Sequence, residues 1–125
     1  MEKTFGERVA EAKAAVTAVS AQDAHRRMAS DPRTLFIDPR SAGDIATTGI
    51  IPGALNVPLT QLSDAPDDAL PRELVSRSRP IIAACQGGPM GALAAHALQK
   101  RGFRDVAFID GGTQGWLDAG FPTVR

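Results

Sequence analysis

The sequence predicts a three-layer α/β fold, a small and mainly parallel sheet with helices on both faces. Apolar runs at 34–38, 80–84 and 105–109 are short, rich in Ile, Ala, Val and Phe, and bounded by Pro, Asp or Gly. Buried strands of a parallel sheet have that appearance. Helix-forming segments fall between these runs, and alternation of strand and helix favours a parallel sheet covered on both sides. The chain has 125 residues, 43% of them hydrophobic and 22% charged. That length allows one domain burying about two-thirds of its unfolded surface.

Taken in order, residues 3–15 are rich in Ala, Glu, Arg and Lys and read as a surface helix. It is either a true element or a frayed extension, and the domain proper is assigned to 16–125 with 1–15 as an N-terminal helical extension. Val16 to Val19 predicts a short edge strand. Ser20 with Asp23 resembles a capping box and opens a helix to about Ala29, which Asp31-Pro32 breaks. Thr34 to Asp38 is the next strand, ended by Pro39, and Ser41 to Thr48 fits one short helix before Gly49. A turn at 51–54 leads to a strand over 55–59. The polar stretch 61–79, with Pro58, Pro66, Pro71 and Pro80 in or beside it, predicts a loop with one helical piece near 70–77. After the strand that leads into Cys85, helix formers dominate from Ala92 to Arg101, and Gly102 stops them. A last strand at 105–110 turns at Gly111-Gly112 into a helix from Thr113 to Ala119.

Charge and cysteine use exclude several functions. Fourteen basic and fourteen acidic residues give a formal net charge of zero, against a nucleic-acid or anionic-membrane partner. The single Cys excludes an internal disulfide and any zinc site needing two cysteines of this chain. His25 and His96 lie on different predicted helices without ligand-like spacing, so no metal or cofactor is expected. No apolar run approaches a membrane span. Glu2, Lys3, Glu7, Arg8, Glu11 and Lys13 break up any signal-peptide core, and a cytoplasmic protein with a reduced thiol is expected.

The chemistry concentrates at Cys85. A cysteine after a buried strand is by default a small structural hydrophobe. Here it is followed by Gln86-Gly87-Gly88-Pro89-Met90-Gly91. The two glycines let the backbone curl so that successive N–H groups face an anion. Pro89 fits a first helical position, and the helix start adds partial positive charge. Donors of that kind favour a thiolate over a thiol and suit the outer sulfur of a persulfide.

Four ordered segments resemble the single-domain form of the rhodanese (sulfurtransferase) family, over about Val19 to Val124. Leu35-Phe36-Ile37-Asp38-Pro39-Arg40 is similar to a strand ending in Asp-Val-Arg, with Pro39 for Val. Gly49-Ile50-Ile51-Pro52-Gly53-Ala54 is similar to Gly-His-Ile-Pro-Gly-Ala, with Ile50 for His. The Cys85 strand and loop match the active-site segment, and Asp110-Gly111-Gly112 with Trp116, Gly120 and Pro122 match the closing pattern. The resemblance implies a rhodanese-like fold with Cys85 as sulfur-carrying nucleophile. It also implies a cradle from the N–H groups of Gln86, Gly87, Gly88, Met90 and Gly91, Pro89 shaping the turn. Related phosphatases carry a longer loop with an Arg; here positions 90 and 91 are Met and Gly, which argues against phosphatase chemistry. Members that use thiosulfate often have Arg where Met90 stands. Without its charge-assisted bond, worth about 1.5–3 kcal/mol, weak thiosulfate turnover is expected.

Arg40 has two readings, a buried ion pair or turn cap with Asp38, or a pocket residue that binds substrate and offsets the missing loop Arg. Asp44 could tie Arg40 down across one helical turn. His96 reads as a packing residue and Trp116 as a core anchor whose indole N–H needs one partner. The expected function is transfer of sulfane sulfur through a Cys85 persulfide, from a small donor or a partner protein to a thiol, cyanide or sulfite-like acceptor. The rivals are a persulfide relay for a partner protein and a non-catalytic redox-sensing or interaction domain.

Overall fold

The computed structural model describes residues 2–124. In chain order the elements are α1 (Phe5–Ala15), β1 (Thr17–Val19), α2 (Ala21–Ser30), β2 (Leu35–Asp38), α3 (Ala42–Thr48), β3 (Leu55–Asn56), α4 (Leu59–Asp64), β4 (Ile81–Ala83), α5 (Pro89–Lys100), β5 (Val106–Ile109) and α6 (Gly112–Asp118). The five strands form one sheet in the order β1-β5-β4-β2-β3, and every pairing is parallel. This is the predicted α/β architecture, with β1 on an edge.

The central runs 35–37, 81–83 and 106–109 are apolar on both faces because alternate residues feed two cores. Leu35, Ile37, Ile81, Ala83, Val106 and Phe108 pack with Ala12, Leu62, Leu93 and Leu98 on the face covered by α1, α4 and α5. Phe36, Ile82, Ala84, Ala107 and Ile109 pack with Val19, Ala24 and Trp116 on the face covered by α2 and α6. The period of two along each strand sends neighbours to opposite layers. On the second face Trp116 donates its indole N–H to Pro122 O at 2.7 Å, and Phe36 meets its ring edge-on.

The N-terminal segment is a capped, docked helix. Thr4 and Glu7 complete a reciprocal capping box, Ala12 is fully buried, and Gln99 of α5 donates to Ala15 O at the helix end. At α2, Ser20 Oγ accepts from the Asp23 N–H, the backbone half of such a box.

The stretch 61–79 differs from expectation. Instead of one helical piece near 70–77, the chain makes α4 and two short 3-10 turns, Asp67–Ala69 and Arg72–Leu74. Pro58, Pro66 and Pro71 stand at the three N-cap positions. Each proline pre-sets a helical start and disfavours helix in the residue before it, which cuts the segment into pieces. Leu62 and Leu74 bury these pieces against α5, and Arg101 donates to Leu62 O and Ala65 O. The predicted strand at 55–59 is shortened to Leu55–Asn56 by the same Pro58. Among the described residues no helix is long and apolar enough to cross a membrane.

Candidate active site

Because all strands are parallel, their carboxyl ends lie along one edge of the sheet, where open α/β folds bind ligands. The turn after β2 and the loop after β4 are neighbours there, since β2 and β4 pair directly.

The loop after β4 holds Cys85, 3% exposed at the mouth of a tight curl. The Gly88 N–H donates to Cys85 Sγ at 2.9 Å. Gly88 has a φ of 116°, a conformation suited to glycine, and it is the N-cap of α5 with Pro89 in the first turn. Among the described residues the N–H groups of Gln86, Gly87, Met90 and Gly91 have no acceptor. One donor therefore already faces the sulfur, and four others in the same loop and helix start are unspent among the described residues. Gly91 must be small: a Cβ there would lie 3.3 Å from Ala83 O and 3.4 Å from Cys85 N, so the helix start rides directly on the strand end. Gln86 and Gly87 are exposed on the rim, whereas Pro89 and Met90 are half-buried.

The amino end of α6 supports the loop from outside. Thr113 N donates to Cys85 O at 2.5 Å and Gln114 N to Gln86 O at 3.0 Å. Sequence reasoning read Gly111-Gly112 only as a turn. The doublet itself was the available signal, since one glycine suffices for a turn and the second marks a close backbone approach.

Arg40 takes the first of its two readings. Both Asp38 and Arg40 are 2% exposed. Arg40 Nε and Nη2 donate to the Asp38 carboxylate, Nη2 also to Gly49 O at 3.0 Å, and Nη1 to Thr48 Oγ1 at 2.7 Å. The guanidinium thus bonds to its own turn and to the end of α3, and none of these bonds reaches the Cys85 loop. Asn56, not singled out from the sequence, donates from Nδ2 to Asp38 O at 2.9 Å and Arg40 O at 2.8 Å. An Asn inside a predicted strand, where the residue type is depleted, was the sign that its side chain had a task.

The histidines stand apart from this edge. His25 stacks on Phe121 with ring centroids 4.3 Å apart. His96 lines a cleft of about 720 Å³ between α1, α4 and α5, together with Glu11 and Lys100. Burial, with Lys100 nearby, holds its pKa below the ordinary value. Among the described residues no group of three His, Cys, Asp or Glu could hold a metal ion.

A rhodanese-like domain model matches residues 20–119. None of the curated proteins matches the chain. A Rhodopseudomonas palustris protein of unknown function, described as a possible tyrosine phosphatase, superposes with a TM-score of 0.85 at 26% identity, covering 98% of this chain and 96% of its own. The homodimeric polysulfide-sulfur transferase of Wolinella succinogenes shares the fold, with a TM-score of 0.74 at 24% identity over 94% of this chain and 85% of its own. Reduced CoADR-RHD of Bacillus anthracis matches with a TM-score of 0.65 at 29% identity, over 81% of this chain and 16% of its own. The family match spans most of the chain, with β2 to β5 and the Cys85 loop, and the protein belongs to the rhodanese-like domain family.

Proposed function

We propose that this protein is a sulfurtransferase that carries sulfane sulfur on Cys85. The observation that carries the reading is the 2.9 Å bond from Gly88 N–H to Cys85 Sγ inside a loop whose other N–H groups lack acceptors among the described residues. In the first half-reaction the Cys85 thiolate attacks the outer sulfur of a donor R–S–S⁻. The new S–S bond forms at Cys85, the donor's S–S bond breaks, and RS⁻ leaves with the electron pair. A nucleophilic acceptor then takes the outer sulfur and returns the Cys85 thiolate. Unspent N–H donors in the same loop suit a terminal persulfide anion.

The same arrangement bears on the donor. Met90 supplies no cation, and the Arg40 guanidinium is spent on Asp38, Thr48 and Gly49. A sulfonate-bearing donor such as thiosulfate therefore has no Arg fork to bind. A polysulfide, or a persulfide on another protein, is the better match. The possible phosphatase activity suggested for the R. palustris protein does not carry over well. A transferring phosphoryl group spreads charge over three oxygens and calls for a cation there, and five and six residues after Cys85 the loop presents only Met90 and Gly91.

Intact-mass analysis after incubation with inorganic polysulfide, mercaptopyruvate, thiosulfate or a protein persulfide tests the reading. A gain of one sulfur that vanishes in Cys85→Ser is expected. Loading by a protein persulfide alone would make the chain a relay. No loading by any donor overturns sulfur transfer and leaves a redox-sensing or interaction domain.

A further inference from the structure

We infer that the first turn of α6, through the Gly112 backbone and the Thr113 and Gln114 amides, is the positioning device that aims the sulfur cradle. The inference rests on the sulfur-transfer reading and adds to it residues outside the Cys85 loop.

A trans peptide unit is planar, with its C=O and N–H on opposite sides. Fixing the carbonyl of one unit therefore fixes where its amide points. Thr113 N holds Cys85 O at 2.5 Å and Gln114 N holds Gln86 O at 3.0 Å. The two peptide units so anchored are Cys85–Gln86 and Gln86–Gly87, whose amides belong to Gln86 and Gly87. With both carbonyls drawn toward α6, both N–H groups are turned the other way, and neither has an acceptor among the described residues. The third amide, that of Gly88, already donates to Sγ. Flipping either unit would exchange a donor for a carbonyl oxygen, and an oxygen dipole repels a persulfide anion.

Gly112 is what allows this approach. Its φ is 60°, and a Cβ there would lie 2.3 Å from Cys85 O, 2.8 Å from Gln86 O and 2.9 Å from Gln86 C. These are backbone atoms and cannot swing aside like a flexible side chain. On the other side of the junction a Cβ at Gly88 would meet Gly111 N at 3.4 Å. The loop and the helix start are thus fitted to each other at backbone distance.

Gly112→Ala forces the two backbones apart, and Gly120→Ala is its control. Gly120 also has a positive φ, 91°, but nothing lies within 4 Å of its Cβ position. Both variants lose stability; only Gly112→Ala is expected to load sulfur from inorganic polysulfide at least tenfold more slowly, measured well below its melting temperature. Loading of folded Gly112→Ala at the wild-type rate overturns the inference, as does equal slowing in both variants.

Should Gly112→Ala fail to fold, amide NMR of the unmodified protein decides. Polysulfide loading is expected to move the Gln86, Gly87 and Gly88 amide protons together, while the Thr113 and Gln114 amides stay protected from exchange. Loaded protein in which the Gln86 and Gly87 amides do not move also overturns the inference. Wild-type protein that gains no sulfur at all is instead the failure of the transferase reading. In that case the resting spectrum decides on positioning: Thr113 and Gln114 amides that exchange as fast as exposed ones overturn it, and slow exchange upholds it.

Discussion

Two turns at neighbouring strand ends solve opposite problems. After β2, Asp38 and Arg40 are buried and bonded to each other, while Thr48, Gly49 and Asn56 take up further donors and carbonyls. After β4, the loop around Cys85 leaves the N–H groups of Gln86, Gly87, Met90 and Gly91 without acceptors among the described residues. The first turn contains the stronger charges and is chemically closed. The second has only dipoles and one buried sulfur, and its donors are left unspent among the described residues. The two turns differ in which polar groups are left unspent, and the Arg40 guanidinium, read from sequence as a pocket residue or a turn cap, is bonded within its own turn and to the end of α3.

The largest expected effect breaks the closed turn. Arg40→Leu leaves the Asp38 carboxylate buried at 2% exposure without its partner. Removing one member of a buried pair typically costs about 3–5 kcal/mol. For a domain of this size that is a fall in melting temperature of roughly 10 °C or more. Thermal unfolding of the variant checks this, and a change of a degree or two would mean that Arg40 is not structural. Asn56→Ala removes the side-chain donor to Arg40 O and one of two donors to Asp38 O, which keeps its bond from Val57 N. A smaller loss, about 1–3 kcal/mol by the same measurement, is expected.

The open loop is sharpened by adding what it lacks. Met90→Arg places a free guanidinium at the half-buried rim, and a charge-assisted bond to a sulfonate is worth about 1.5–3 kcal/mol. Single-sulfur loading from thiosulfate should rise about tenfold or more, with much less change for inorganic polysulfide. An equal rise for both donors would mean that the missing cation does not set the choice between them.

The sequence was informative about the loop and nearly silent about its setting. Pro80 to Gly91 carries its local rules in order, an apolar run, a thiol, two glycines and a proline at a helix start, and each has one backbone consequence. The Arg40 question could not be decided because either role needs the same residue two places after Asp38. The answer lies in Thr48 Oγ1 and Gly49 O, eight and nine residues further on, where a helix happens to end. The contact between Gly112 and the carbonyls of Cys85 and Gln86 crosses even more chain. It depends on β4 and β5 being neighbours, which no local pattern encodes. The three short pieces within 59–74 were hidden because proline rules say where a helix cannot continue, while burial of Leu62 and Leu74 decides how far each piece runs.

The smallest expected effect separates pH sensitivity of the fold from reactivity of the loop. His96 faces Glu11, Lys100 and Lys3 across the cleft beside α1, and burial followed by Lys100 lowers its pKa from the ordinary 6.5, with Glu11 opposing. A histidine whose folded pKa is depressed binds a proton more readily when the chain is unfolded. Its contribution to stability is therefore present above pH 6.5 and is lost as the pH falls through and below that value. Glu7 and Glu11, whose pKa values are lowered from 4.5 by bonds to Thr4 and Lys3, act only in more acid solution. Melting temperatures of wild type and His96→Gln should thus converge as the pH drops from neutral to about 5.5, with the variant showing the flatter profile. Sulfur loading of Cys85 should follow one pH profile in both proteins, because His96 sits on the cleft side of α5 and not at the strand ends. If His96→Gln instead shifted the loading profile and left stability unchanged, the division between a spent frame and an unspent loop would have to admit a distant proton carrier.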